Sequence, residues 1–168
     1  MKAIRFLIFI IAISMVQFVN GQSKSDKMYD VFANKEGVTN FSFSKNMVDA
    51  ININVGEDDE EQKVTGDLQL IRFMSYNPKK GELSGSEFTK KAIGFLPKTS
   101  YKKFEDDGDN DAEIWLLGGK RKFKECHVFT NSDDDGQIRL VVSFYGDFTV
   151  SDLDKLKKKS EDFSNTEE

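Results

Sequence analysis

Ile138, Leu140, Val142 and Phe144 alternate with Arg139, Val141, Ser143 and Tyr145, the period-two pattern of a β-strand. The second set is itself fairly apolar, so this strand, Gln137 to Tyr145, is expected to be central in a sheet or covered on both faces. Shorter runs of the same kind precede it at Tyr101 to Phe104, Glu113 to Leu117 and Phe123 to Thr130. Gly118-Gly119 and Asp135-Gly136 lie between them and tolerate the positive φ of tight turns, which predicts a meander of hairpins.

The first half of the chain mixes two periods. Met28, Val31 and Phe32 share one face of a short helix that Ser25 can cap, and Gly37 stands where the chain must leave it. Thr39 to Phe43 reads as a half-buried strand with Phe41 and Phe43 on one side. Ser44 then offers an N-cap for a helix containing Met47, Ala50 and Ile51, and the five acids Glu57 to Glu61 form a solvated loop or the frayed end of that helix. Leu68 to Tyr76 is a second long strand whose apolar phase slips between Leu70 and Ile71, as in a strand that is bulged or buried on both sides. After Asn77-Pro78, Ser84 and Glu87 form a capping box for a helix bearing Phe88, Ala92 and Phe95, and Pro97 stops it. Ser151 with Asp154 opens a closing helix through Leu153 and Leu156. These elements predict an α+β fold, a mostly antiparallel sheet of about five or six strands with helices packed on one face.

One further apolar run stands apart. Lys2 and Arg5 precede an almost unbroken apolar stretch, Phe6 to Met15, and Val19-Asn20-Gly21 suits a cleavage site, so residues 1–21 read as a signal peptide removed on export. Gln17 and Asn20 interrupt the run before it reaches the ~20 residues of a membrane-spanning helix. The expectation is a periplasmic or secreted chain without a stable membrane anchor, with a single domain over 22–156 and a charged tail over 157–168. The leader carries two cations and no acid, so its removal takes the formal charge from −5 to −7. That sign disfavours nucleic acid as a partner. Fifteen Phe against two Pro describe a chain that can build a packed interior, and Cys126, the single cysteine, has no partner for an intramolecular disulfide.

Several strings together resemble a known family. Ala33 to Asp49, "ANKEGVTNFSFSKNMVD", sets a helix end, a short strand and a second helix start in one stretch. Tyr101 to Phe104 opens the meander, and the last strand runs into Gly146-Asp147-Phe148 before a short helix. In these features the chain is similar to the domain of unknown function 4252 family, small exported proteins of the Bacteroidota cell envelope. The resemblance implies export, a role in envelope sensing and an unknown envelope protein as partner, and it supplies no catalytic residues. Lipid-anchored members exist in the family, and this chain departs from them in lacking a cysteine after its leader.

The residues themselves offer little chemistry. His127 is the only histidine, and its neighbour Cys126 must point to the opposite face of a strand, so the two cannot form a dyad. On that alternation Cys126 packs inward and His127 is a surface or partly buried residue. No G-x-S-x-G, P-loop or H-E-x-x-H occurs, and zinc lacks its ligands. Calcium is the one metal whose ligand types are present. Asp107, Asp109 and Asp111 copy the start of an EF-hand loop, but Ala112 replaces the turn glycine and Gly118 the final Glu. Asn131, Asp133 and Asp135 with Gly136 fit the first half better, yet Val142 falls at the final ligand. Both clusters lie between strands and read equally as solvated turns. The expected function is therefore a non-catalytic interaction or sensing-accessory module without a cofactor. A calcium-stabilised binding module and a periplasmic hydrolase are the alternatives.

Overall fold

The computed structural model describes residues 23–47, 67–104, 112–149 and Asp152. The elements are α1 (Asp26–Phe32), β1 (Val38–Ser44), β2 (Asp67–Tyr76), α2 (Gly85–Gly94), β3 (Tyr101–Phe104), β4 (Ala112–Gly118), β5 (Lys122–Thr130) and β6 (Arg139–Thr149). All six strands form one antiparallel sheet in the order β1-β2-β6-β5-β4-β3. The expected meander is the run from β3 to β6, each strand beside its predecessor. The chain reaches it from β2 by crossing to the opposite edge, and α2 lies on that crossing.

The capping box of α2 is present: Ser84 Oγ accepts from the Glu87 N–H, and the Glu87 carboxylate accepts from the Ser84 N–H. Gly37, at φ +80°, turns the chain from α1 into β1, and any side chain there would strike the Asn77 carbonyl. Gly118 adopts φ +155° at the end of β4, where a Cβ would lie 2.5 Å from the Lys122 carbonyl oxygen. Gly136, expected to serve the other hairpin in the same way, does not take positive φ. Its turn is held instead by Asp134, whose carboxylate accepts from the Gly136 N–H.

Both faces of the sheet are buried. α1 and α2 pack on one, where Met28, Tyr29, Phe32, Phe88, Ala92 and Leu96 meet Met74, Tyr76, Tyr101, Phe129 and Val141. Tyr29, not the expected Val31, completes the inner face of α1. The other face gathers Ile71, Phe73, Ile114, Leu116, Cys126, Val128, Val142, Phe144 and Phe148. Each large side chain buried in this way contributes roughly 1.5–3 kcal/mol. β6, third in the order, is central as its two-sided apolar pattern required.

Three strand details depart from simple alternation. β6 does not end at Tyr145 but continues through Gly146-Asp147-Phe148 to Thr149, and Thr149 donates from its N–H and hydroxyl to Asp152. β2 shifts register between Leu68 and Leu70, close to where its apolar phase slips. β5 carries a bulge between Phe123 and Glu125 that leaves Lys124 exposed. Without it, Phe123 and Glu125 would share a face. With it, Phe123 enters the apolar cluster beside Phe148 while Glu125 turns to the helix side.

Candidate functional site

Period two brings Glu125 and His127 to one face of β5, and Ser143 and Tyr145 to the same face of β6. The register pairs Glu125 with Tyr145 and His127 with Ser143, so the four side chains form a square, and Arg72 of β2 lies beyond Ser143. α1 and the residues leading into it lie above. Ser25 stands at the N-cap position, but its hydroxyl makes no helix cap. It points down to Tyr145 OH at 2.9 Å and donates to Glu125 Oε2 at 3.1 Å.

The centre of the square is a chain of hydrogen bonds. Ser143 Oγ lies 2.7 Å from His127 Nδ1, and His127 Nε2 lies 3.1 Å from Glu125 Oε2. Glu125 also accepts from Ser23 Oγ at 2.7 Å and from Tyr101 OH at 2.7 Å. Tyr29 OH donates to Ser143 Oγ at 2.6 Å. One assignment satisfies all of them: a carboxylate at Glu125, a proton on His127 Nε2, and a Ser143 O–H donated to the bare Nδ1. At the margin Arg72 stacks over the Tyr29 ring at 3.8 Å and pairs with Asp26 at 2.6 Å.

Electrostatics agree with that assignment. Burial works to raise the Glu125 carboxyl, but hydrogen bonds from His127, Tyr101 and Ser23 together outweigh it and hold the group below its ordinary value. Burial depresses His127, and the nearby Arg72 charge adds to this, against the opposing pull of Glu125. Burial likewise raises Tyr29 and Tyr101 and pushes Tyr145 up to about 12. At neutral pH the square holds one carboxylate and a neutral imidazole.

An acid, an imidazole and a serine hydroxyl in hydrogen-bonded series are the components of a hydrolase relay. Here the series lies closed beneath α1 and its approach. His127 and Ser143 are both 0% exposed, so no substrate carbonyl reaches the hydroxyl. The oxygen that would attack already accepts the Tyr29 proton. The arrangement instead satisfies a buried charge and ties the approach to α1 onto β5 and β6.

The family described as Domain of unknown function (DUF4252) matches residues 29–156, which take in the second half of α1 and every strand of the sheet. The chain belongs to this family. No curated protein and no solved structure matches it. In this DUF4252 domain, Cys126 and His127 do face opposite ways, as the strand alternation required. Cys126 sits in the apolar cluster, where burial pushes its thiol up to about 12. His127, expected at the surface or partly buried, is instead fully buried, because α1 and its approach cover this part of the sheet while Ser143 and Glu125 of the neighbouring strand positions satisfy its two ring nitrogens.

Of the acidic clusters, Asp107, Asp109 and Asp111 lie outside the described residues. Asn131, Asp133 and Asp135 occupy the turn between β5 and β6. The Asp135 carboxylate accepts from the Ser86 N–H in the first turn of α2 at 2.9 Å, and this holds its pKa below the ordinary carboxylate value. It also lies 3.7 Å from Arg139, whose buried guanidinium donates to the Ser132 and Asp134 carbonyls. Among the described residues no group of three or more His, Cys, Asp or Glu is placed to hold a metal ion. Sequence reasoning passed over Glu125, Ser143, Tyr29, Tyr101 and Tyr145. The signal for the first two was present: Glu125-x-His127 and Ser143-x-Tyr145 set polar residues two apart inside apolar strands, which places each pair on one buried face.

Proposed function

We propose that this domain is an exported, non-catalytic binding module of the cell envelope, an accessory to sensing or assembly that works through its surface. One observation carries the non-catalytic part: the only acid–imidazole–hydroxyl series among the described residues is closed under α1 with each polar partner engaged. Both sheet faces are buried as well, which leaves sheet edges and exposed turns for recognition. Export is supported by the charged and apolar pattern of residues 1–21.

Cross-linking the tagged chain in its own cell envelope, followed by mass spectrometry, is expected to recover a reproducible protein partner. In parallel, a fluorophosphonate probe is expected to leave the purified protein unlabelled. Labelling that disappears in Ser143→Ala would overturn the non-catalytic reading. Retention of the chain in the cytoplasm with residues 1–21 uncleaved would overturn the exported one.

A further inference from the structure

The two edges of the sheet are built differently. β3 is four residues long and exposes Lys102 and Lys103, features that discourage the addition of another strand. β1 is seven residues long, Val38–Ser44, with no charge and no proline, and it is exposed from Thr39 to Ser42. Its central residue, Phe41, is 46% exposed. That ring is already fixed from within, stacked on Phe73 at 4.7 Å and edge-on to Phe43 at 5.6 Å. Among the described residues nothing pairs with the outward side of this edge.

We propose that β1 pairs antiparallel with β1 of a second copy about a twofold axis, joining two six-stranded sheets into one. A register centred on Phe41 sets Phe41 opposite its counterpart, Asn40 opposite Ser42, Thr39 opposite Phe43 and Val38 opposite Ser44. An axis normal to the sheet keeps both Phe41 rings on one face, so the stack Phe73, Phe41, Phe41, Phe73 runs unbroken across the junction. Electrostatics favour this edge over other meeting points. A chain of formal charge −5 with residues 1–21 and −7 without them repels its copy at long range, whereas the β1 register opposes no two charged residues. One strand pair lies below the roughly 1,200 Å² of a standard interface, so association is weak and reversible, with a Kd on the order of micromolar or higher.

Sedimentation velocity of the purified protein from about 1 µM to about 1 mM tests the dimer. The mass is expected to climb from one chain toward two across that range. Phe41→Lys sets two ammonium groups opposite one another and is expected to weaken association at least tenfold. Ser42→Lys, at an exposed position on the other face of β1, faces Asn40 of the second copy and sets the two ammonium-bearing side chains on a diagonal about 7–8 Å apart, so it is expected to weaken association more mildly, and it guards against misfolding of the first variant. Under oxidation Phe41→Cys is expected to form a covalent dimer, since opposed residues lie about 4.5–5.5 Å apart between Cα atoms, within disulfide reach. Thr39→Cys is not, because the two copies of that position lie roughly 13 Å apart at ~3.4 Å per residue. A monomer at every concentration, or a dimer indifferent to both lysine variants, would overturn the proposal. Either result leaves the binding-module reading standing, and a fluorophosphonate-reactive Ser143 would leave the dimer standing.

Discussion

Four hydroxyl or ring donors converge on the Glu125 carboxylate, those of Ser23, Ser25, Tyr101 and His127. Glu125→Gln keeps the size of the side chain but turns an amide NH2 toward groups that can only donate or must rotate away. The expected loss is about 3 kcal/mol, the scale of a buried charge-assisted hydrogen bond replaced by a mismatch. Ser143→Ala removes the bridge between Tyr29 and His127 and leaves Nδ1 without a donor, at a cost of about 1–2 kcal/mol. Urea midpoints with unchanged m would show both losses in that order. A Gln variant as stable as the parent would mean that the network is incidental to stability. At this scale the sequence was hard to read for a physical reason. The polar square needs α1 above it and a bulge at Lys124 below it; the docking of a seven-residue helix leaves no mark in periodicity, and the polar residues Lys122, Lys124 and Glu125 hide at this bulge the phase slip that the apolar residues of β2 display. Ser25 illustrates the limit: it stands at the cap position as expected, yet its hydroxyl serves Glu125 and Tyr145 instead of the helix.

Elements with a strong local signal were legible. α2 follows its capping box and ends before Pro97, and β3, β4 and β5 lie within a residue of their apolar runs. β6 was read short because Gly146-Asp147 resembles a break, whereas the sheet carries the strand across it. α2 also provides two opposed tests. Ser84→Ala deletes the acceptor for the Glu87 N–H and is expected to cost about 1 kcal/mol. Gly85→Ala improves helix propensity but places a Cβ 2.7 Å from Arg139 Nε. That guanidinium is buried and donates to the Ser132 and Asp134 carbonyls, so displacing it weakens those bonds and a net loss of roughly 1–3 kcal/mol is expected. Thermal melts of the two variants decide the matter, and a Gly85→Ala protein more stable than the parent would show that Arg139 moves freely.

Over the whole molecule the buried titratable groups limit stability from both sides of neutrality. His127 sits below its unfolded value of 6.5 and Glu125 below its 4.5. The unfolded chain therefore binds more protons than the folded one as pH falls, and stability is lost first through the histidine and then through the carboxylate. Tyr29, Tyr101, Tyr145 and Cys126 are raised instead. Their contribution is complete below the unfolded values of 9.0 for the thiol and 10.0 for the phenols and is lost as pH rises beyond them. A stability plateau is thus expected between about pH 6.5 and pH 9, with a slope of up to ~1.4 kcal/mol per pH unit for each proton outside it. The upper acid limb has an unambiguous owner, because His127 is the only histidine in the chain. In urea titrations, His127→Gln is expected to lower stability at pH 7 while flattening the region between about pH 6.5 and pH 5, and to leave the steeper loss below pH 4.5 in place. A parent protein equally stable at pH 7 and pH 5 would mean that the imidazole meets the same environment folded and unfolded, which the closed square under α1 does not allow.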